Sequence, residues 1–374
     1  MTSFGMKVVA LAGLVGLVLG SNGCSSKGTS AWGSGTADHV VAQNKPAGER
    51  NGSVAAKERT SEADRALIEN IVQQNKASRE RIQSAIVDLK WTGKFGALDQ
   101  QSLPPGFPSN QASFEGSGCW LFRGEWCAVS KRLVIGEAGS AAPRVDAKAM
   151  VLNDRYEAIV PNVERPTLAT IYEHSSIGER STQRQQAWNA VSAPHIFLYA
   201  FGTGYFPLDQ FVMMTSPEQS PWEVHEQEGQ DGVRYELHQI GPQQNRNVLV
   251  VESNRNFLIT QVLGYKLDGT LGAKIEVELQ QLPDGSWFPK RVAHKGPNTD
   301  LDIIVERVEL NVSIPDSKFE LDALPIDKEH GRLSRFDAFG RNSWLVYRDG
   351  HWVPKPANEH RRDSVGPEQE GAAG

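Results

Sequence analysis

Residues 274–290 read KIEVELQQLPDGSWFPK, and this stretch decides the fold class. Its first half alternates apolar with charged or polar residues, the apolar positions being Ile275, Val277 and Leu279. That period of two is typical of a strand with one buried and one solvent-exposed face. Asp284-Gly285 then supplies a dipeptide that favours a tight hairpin turn. Pro289, in the second arm, predicts a sheet edge or a β-bulge. The stretch therefore predicts an antiparallel hairpin.

The same signals recur through the second half of the chain. Runs in which apolar and polar residues alternate are separated by four Asp-Gly dipeptides, at Asp231-Gly232, Asp268-Gly269, Asp284-Gly285 and Asp349-Gly350. Within 301–314 the apolar positions move from odd to even numbers after Val305, which predicts a β-bulge. Strands that follow one another without intervening helices exclude a doubly wound parallel fold. The sequence predicts an α+β protein built on an antiparallel sheet.

A long helix is expected before the first strand, from about Ser61 to Val87. Ser61 and Asp64 have the spacing of a capping box, and acidic residues suit the first turn of a helix. Apolar residues then recur at helical spacing, at Leu67, Ile68, Ile71, Val72, Ile82, Ala85, Ile86 and Leu89. The period changes to two between Leu89 and Phe95, which predicts the first strand. Further strands are expected over 119–135, 149–152 and 156–160.

The N-terminus carries an export signal. Residues 8–19 are apolar and follow Lys7, and this run is too short to span a bilayer. Small residues lead directly into Cys24, which resembles the lipobox of bacterial lipoproteins, although Ser21 stands where a leucine is usual. We expect residues 1–23 to be a signal peptide and Cys24 to be the lipid attachment site. An ordinary cleaved signal and an uncleaved anchor are the alternatives.

Composition divides the remaining chain. Residues 24–60 are rich in small and polar residues and are expected to be a flexible tether. Residues 61–325 are long enough for one large domain, 326–354 form a C-terminal extension with a small hairpin, and 355–374 are expected to be disordered. The net charge of −6 argues against a nucleic-acid partner. Ser25 lacks the acidic character of an inner-membrane retention signal, so outer-membrane placement facing the periplasm is favoured over the inner membrane.

Cys119 and Cys127 are the two cysteines that lipidation of Cys24 would leave. If Phe122-Arg123-Gly124 forms a three-residue hairpin loop, positions 119 and 127 face one another, and an exported protein could bridge them. We predict a disulfide between them; two small buried thiols are the alternative.

No catalytic or phosphate-binding motif stands out in the sequence. None of the nine histidines lies three or four residues from another, so no helical metal pair is predicted. His225-Glu226 is the nearest approach to a metal or acid–base pair, and we interpret it as part of an exposed edge strand. Glu276 and Glu278 share a strand face with Lys274 and are interpreted as a solvated stripe. We expect no cofactor, no metal and no enzymatic activity.

Aromatic residues concentrate on elements expected to face one interior. The candidates for a hydrophobic cavity are Trp91, Trp120, Phe122, Phe197, Tyr199, Phe201, Phe206 and Trp287. The segment 195–208 is strongly apolar, but Gly202, Gly204 and Pro207 interrupt it. It is either ordinary core or a mobile segment that lines or closes a hydrophobic cavity.

The order of these elements resembles the LolA/LolB-type outer-membrane lipoprotein-sorting superfamily, in particular its large lipoprotein relatives of planctomycete type. The resemblance covers about 61–325, and the segments that carry it are 86–95, 120–126, 205–208, 285–290 and 319–321. It implies a strongly curved, unclosed antiparallel β-barrel, or half-barrel, whose mouth is covered by the long N-terminal helix and shorter helices. It also implies a cavity for acyl chains.

A freely moving periplasmic carrier has no lipobox, tether or C-terminal extension of this kind. We therefore expect a membrane-tethered lipoprotein that binds an acyl chain or other hydrophobic ligand without enzymatic activity. The alternative is an envelope scaffold or sensor that binds a partner protein, with 344–352 as a candidate surface. A hydrolase is the least favoured alternative.

Overall fold

A computed structural model describes most of the chain between Thr60 and Lys355. The described residues are 60–96, 112–137, 142–173, 195–204, 206–215, 220–229, 232–241, 245–337 and 341–355. Three α-helices lie in them: α1 (Glu62–Glu80), α2 (Ile196–Ala200) and α3 (Leu208–Met214). Short 3-10 turns lie at Ser253–Arg255, Asp316–Phe319 and Leu321–Ala323.

Sixteen strands make up most of the described chain. The first six are β1 (Ser84–Phe95), β2 (Ala112–Arg123), β3 (Trp126–Glu137), β4 (Arg144–Leu152), β5 (Tyr156–Val160) and β6 (Leu168–Glu173). The next seven are β7 (Trp222–Gly229), β8 (Gly232–Ile240), β9 (Arg246–Glu252), β10 (Leu258–Tyr265), β11 (Leu271–Gln281), β12 (Trp287–Lys295) and β13 (Thr299–Leu310). The last three are β14 (Arg332–Phe336), β15 (Asn342–Arg348) and β16 (His351–Pro354).

All sixteen strands belong to one sheet, in the order β16-β15-β14-β6-β5-β4-β3-β2-β1-β13-β12-β11-β10-β9-β8-β7. Every pairing is antiparallel except that of β6 with β14, which is parallel. The strands β7 and β16 are the two free edges, so the sheet does not close. The predicted α+β class and the unclosed antiparallel sheet are confirmed.

The sheet curves strongly around its helices. One hydrophobic cluster contains Met150 of β4 and Trp222 of β7, which lie ten strand positions apart in the sheet order. Adjacent strands are about 4.8 Å apart, so a flat sheet would separate those two strands by about 48 Å. Ile68 and Ile71 of α1 belong to the same cluster and are fully buried. The sheet is therefore a half-barrel with helices packed in its concave side.

The predicted helix begins where expected but ends earlier. The Ser61 hydroxyl accepts a hydrogen bond from the backbone N–H of Asp64 at 3.0 Å, which caps α1. The expected helical end at Val87 was wrong, because β1 already begins at Ser84. Ala85 and Val87 are buried at alternate positions and continue the strand period. The apolar residues at 82–89 fit both the helical spacing and the strand period of two. The segment forms a strand because it pairs with β2 and β13.

The predicted turns and bulge are confirmed. Three of the Asp-Gly dipeptides lie between antiparallel neighbours, at the turns that join β10 to β11, β11 to β12 and β15 to β16. Of the fourth, Gly232 is the first residue of β8 and pairs with Gly229 of β7, while Asp231 lies outside the described residues. Asp349 and Gly350 both have positive φ, 50° and 83°, as a type I′ turn requires. The register of β13 against β1 shifts at Glu306, which has no opposite residue in β1. This β-bulge lies where the apolar positions change from odd to even numbers in the sequence. Lys290 of β12, next to Pro289, likewise has no opposite residue in β11, so a second β-bulge lies there.

A second hydrophobic cluster covers part of the opposite face of the sheet. Ile314 and Phe319 follow β13 and pack against alternate residues of β3 to β6, such as Ala158 and Ile171. The buried Asn153 side chain donates a hydrogen bond to the backbone carbonyl of Phe319 at 3.0 Å. Strands β14 to β16 then extend the sheet beyond β6. Both faces of this half of the sheet are therefore involved in packing.

Candidate functional site

Six of the eight predicted aromatic residues meet on the concave face. All six are buried in one cluster: Trp91, Trp120, Phe122, Phe197, Tyr199 and Phe201. Strand alternation places the first three, since Trp91 in β1 and Trp120 and Phe122 in β2 lie at inward positions. The other three belong to or follow α2, which lies inside the half-barrel.

The side chains of α2 fill the centre of the concave face. The Phe197 ring lies 5.0 Å from the Phe122 ring on β2 and 5.2 Å from the Phe288 ring on β12, both edge-on. The Trp120 ring lies 5.2 Å from the His195 ring at the start of α2. Edge-to-face packing at these distances stabilises aromatic clusters. The apolar interior is thus occupied by the chain itself.

Tyr199 shows how dry this interior is. Its side chain is buried, and burial raises the pKa of the phenol well above its ordinary value. The hydroxyl therefore stays protonated at physiological pH. The environment around α2 suits an apolar ligand better than an acid–base reaction.

Of the remaining two candidates, Trp287 packs against the margin of this cluster and Phe206 lies outside it. Trp287, at the start of β12, is half-buried, and the Arg255 guanidinium lies 5.1 Å from its ring centre. Phe206 is 39% exposed in the turn between α2 and α3, so the structure does not bring it into the cluster. Flanking Pro207 and Gly202 form an isolated bridge that holds this turn.

A pocket of about 260 Å³ opens where the end of α1 meets the rim of the half-barrel, and we call it the mouth pocket. Its lining residues come from α1 and the turn after it, from α2, and from the ends of β10 to β13: Ser78, Arg81, Ile82, Phe201, Asn256, Leu258, Asp284, Gly285, Ser286, Trp287, Leu310 and Asn311. Two of the predicted cavity residues, Phe201 and Trp287, are therefore brought together here.

The mouth pocket is amphipathic. Phe201 and Leu258 are fully buried and continue directly into the concave core. Arg81 and Asp284 stand at its polar side, close to solvent. Most of the other lining residues are polar, so the pocket joins a polar opening to an apolar floor, an arrangement that suits an amphipathic small molecule.

A larger depression, of about 580 Å³, lies at the far end of β1 and has a different character. Most of its lining residues face outward on β1, β2, β12 and β13, such as Lys94, Glu115, Arg291 and Asp302. Arg291 donates two hydrogen bonds to Asp302, at 2.7 and 2.9 Å. Its charges are thus partly satisfied within the groove, and most of its lining lies on the face of the sheet opposite the aromatic core.

The predicted disulfide is wrong. The β2–β3 hairpin has a two-residue turn, with Arg123 opposite Trp126, so Cys119 pairs with Ser130 and Cys127 with Phe122. Neither cysteine is in a disulfide, and the two side chains point to opposite faces of the sheet. Burial, together with a hydrogen bond to Asp88, raises the pKa of the Cys119 thiol to about 12.

The acidic stripe on β11 is a surface feature, as interpreted from the sequence. Lys274 lies 2.7 Å from Glu276, and Lys290 lies 2.9 Å from Glu278. These exposed ion pairs account for both carboxylates.

The β7–β8 hairpin holds a cluster that the sequence analysis missed. Glu223, His225 and His238 each present a ligand atom within 4.8 Å of the other two. Spacing along the chain does not reveal this cluster, because His238 reaches His225 across the two strands. The Asp231-Gly232 dipeptide was the available signal, because a hairpin with its turn near that dipeptide brings 223–225 close to 238. The observed register pairs 223 with 238.

The predicted lipid attachment site, Cys24, lies outside the residues that the structure describes. Among those residues, no helix has the length and apolar character needed to cross a bilayer.

Comparison of the sequence with known proteins gives no match to a family model and none to a curated protein. Comparison of the structure finds several solved structures. A DUF1329 family protein from Desulfovibrio piger covers 69% of this chain and 98% of its own, with 10% identity and a TM-score of 0.34.

Two further structures bear on the family expected from the residues. A domain from Vibrio parahaemolyticus, described as a candidate outer membrane lipoprotein-sorting protein, covers 69% of this chain and 99% of its own, with 9% identity and a TM-score of 0.33. A LolA superfamily protein from Nitrosomonas europaea has the same coverages, 69% and 99%, with 13% identity and a TM-score of 0.30.

Proposed function

We propose that this protein is a membrane-tethered, non-enzymatic lipoprotein whose half-barrel binds an acyl chain or another apolar ligand through the mouth pocket. The observation that carries the proposal is the continuity of the pocket floor, at Phe201 and Leu258, with the aromatic core. A ligand that enters there meets apolar side chains at once, while its polar end stays beside Arg81 and Asp284.

The present pocket is at the small end of the range for ligand sites, which is about 300–1,000 Å³. A long acyl chain therefore needs more room than the mouth pocket alone. The short helix α2 occupies the adjoining interior with Phe197 and Phe201. We propose that these side chains stand in for the ligand and move aside when it binds.

The lipobox supports the location of the proposed activity. Lipidation of Cys24 would hold the half-barrel close to a membrane, which is the source of acyl-chain ligands. We propose attachment to the outer membrane, with the domain facing the periplasm.

Native mass spectrometry of the full chain, released from detergent micelles, tests the proposal. A non-covalently bound lipid adds mass in the native spectrum alone, whereas a lipid attached to Cys24 adds mass in the denatured spectrum as well. We expect bound lipid in the wild type and less in Ser78→Trp, because an indole at 78 would fill the mouth pocket. Gln74→Trp, exposed one turn earlier on α1, is the matched control. Equal amounts of bound lipid in all three proteins would contradict binding through the mouth pocket.

A protein-binding scaffold is the second candidate, and one observation favours it. Tyr172 on β6 and Phe336 on β14 stack at 5.3 Å, and Tyr172 is 46% exposed, with Leu168 on the same strand at 41%. Exposed aromatic side chains are enriched in protein interfaces. Chemical crosslinking in cells tests this candidate: a protein adduct that Tyr172→Ser abolishes would support it, and adducts to lipid alone would contradict it.

A further inference from the structure

The edge hairpin β7–β8 carries a cluster of metal-ligating side chains that do not line the mouth pocket. Glu223 lies opposite His238, and His225 lies opposite Glu236. Because side chains alternate along a strand, all four residues project from the same face. The His225 and His238 rings lie 4.4 Å apart between centres, and His225 Nε2 lies 3.5 Å from a Glu223 carboxylate oxygen.

These distances are close to those of a coordinated metal. A tetrahedral zinc ion with bonds of about 2.0–2.2 Å holds its ligand atoms about 3.3–3.6 Å apart. The Glu223–His225 separation of 3.5 Å already falls in that range, and the whole set lies within 4.8 Å. Small side-chain rotations at an exposed strand edge are sufficient to close the site.

We propose that Glu223, His225 and His238 bind a divalent transition-metal ion, with zinc the best match. Two imidazoles and one carboxylate are donors that zinc accepts, and they leave a fourth position open to water or to Glu236. Calcium and magnesium prefer oxygen ligands and fit this set poorly. The proposal is independent of the lipid-binding function.

The charged neighbours set the conditions for binding. The Glu236 carboxylate lies 3.3 Å from His238 Nε2 and 3.0 Å from the Arg234 guanidinium. Arg246 of β9 donates a hydrogen bond to His238 Nδ1, which places the proton of the neutral ring on Nε2.

A metal that binds His238 Nε2 must displace that proton to Nδ1. The Arg246 guanidinium then has to turn away, since two N–H groups cannot share a hydrogen bond. Arg246 thus competes with the metal, and its removal should tighten binding. Binding in turn fixes β7 to β8 at a sheet edge whose other side has no strand partner among the described residues.

Zinc titration of the full chain, stripped of metal with EDTA and followed by calorimetry at pH 7, tests the site. We expect one zinc ion per chain in the wild type. Loss of affinity in His225→Asn should exceed the about 10–100-fold that outer-shell substitutions cause. Arg246→Gln should bind several-fold more tightly. The control is His330→Asn, an exposed histidine paired with Asp327 on another part of the molecule.

Two further readouts keep the test decisive. Cobalt(II) in place of zinc should give the visible absorption of a tetrahedral complex in the wild type and not in His225→Asn. Circular dichroism shows whether each variant is folded, and His225 is exposed enough for its substitution to leave the fold intact. Absence of zinc binding in the wild type, or equal binding in the wild type and His225→Asn, would overturn the proposal.

Discussion

Cys119 and Cys127 lie on opposite faces of one hairpin, eight residues apart, and their side chains point away from each other. A two-residue turn between Arg123 and Trp126, in place of a three-residue loop at 122–124, moves the partner of Cys119 from Cys127 to Ser130. Because this shift of three positions is odd, it turns Cys127 to the other face of the sheet. Cys127 enters the concave core, while Cys119 faces Asp88 and Arg307 on the outside of the sheet.

The first prediction concerns these thiols. After denaturation without reductant, both cysteines should react with iodoacetamide, because neither is bridged. Before denaturation, Cys119 should react slowly at pH 7, since burial and Asp88 keep its pKa near 12 and the thiolate is the nucleophile. Peptide mass mapping measures both. A linked peptide containing residues 119 and 127 in the unreduced sample would contradict the register described.

A second prediction rests on the packing of Trp91 against β2. Gly116 lies opposite Trp91, and a Cβ at Gly116 would come within 2.3 Å of the indole. Gly116→Ala should therefore lower the free energy of unfolding by about 1–3 kcal/mol, as overpacking of a core does. Gly136→Ala, on the next strand, is the control, since its nearest contact would be 3.4 Å from a serine hydroxyl. Urea unfolding of both variants measures the difference, and equal midpoints would show that Trp91 packs elsewhere.

The third prediction concerns the helices over the concave face. Arg79 of α1 makes two hydrogen bonds to Asp209 of α3, at 3.0 and 3.1 Å. Burial acts to raise the pKa of Asp209, but the hydrogen bonds and charge of Arg79 outweigh it and keep the pKa below its ordinary value. Asp209→Asn should cost about 1–2 kcal/mol of unfolding free energy at pH 7, allowing for partial exposure. Glu80→Gln, which removes an exposed pair with Lys76 on the same helix, should cost less than about 0.5 kcal/mol.

The pH dependence of that pair follows from the direction of the shift. A carboxyl whose pKa is lowered by folding stabilises the fold above its unfolded pKa, near about 3.9, and loses this contribution as the pH falls through the folded pKa. The difference between wild type and Asp209→Asn should therefore shrink below pH 4. Thermal unfolding at pH 7 and pH 3 measures it, and a constant difference would assign the effect to packing.

The fourth prediction uses His294 of β12, which is 3% exposed. Burial lowers its pKa to about 4, so the folded ring stays neutral while the unfolded ring gains a proton near pH 6.5. The unfolded state binds more protons between pH 6.5 and pH 4, so stability falls across that window as the pH decreases. A shift of this size amounts to about 3 kcal/mol.

Substitution of His294 should flatten that profile. Urea unfolding of His294→Gln from pH 7 to pH 4 should show a weaker pH dependence than the wild type, even if the variant is less stable throughout. His351→Gln, an exposed histidine of β16, is the control and should keep the wild-type slope. Identical slopes in all three proteins would mean that His294 is not desolvated.

The sheet could be predicted where local sequence signals indicate which strands pair. Between β10 and β13, apolar alternation fixes the buried face and the Asp-Gly turns fix the register, so both hairpins follow from local signals. The bulge at Glu306 could be predicted for the same reason, since an odd-to-even change of phase has few other causes.

Other features depend on contacts between distant segments, which no local pattern records. The parallel pairing of β6 with β14 joins segments about 160 residues apart, as the Arg335–Glu173 pair illustrates. The end of α1 depends on whether Ile82–Val87 finds two strand neighbours. Likewise, the aromatic residues were predicted to share one interior, but that α2 fills it follows only from the position of Phe197 between Phe122 and Phe288.

The most direct test of the proposed function places a photoreactive side chain in the mouth pocket. Trp287→p-benzoylphenylalanine keeps an aromatic group at the pocket wall, and Leu267→p-benzoylphenylalanine, 62% exposed in the turn after β10, is the control. After irradiation of living cells, mass spectrometry of the full chain should show an adduct of lipid mass at position 287 and none at 267. An adduct of protein mass at 287, or equal lipid labelling at both positions, would contradict lipid binding in the mouth pocket.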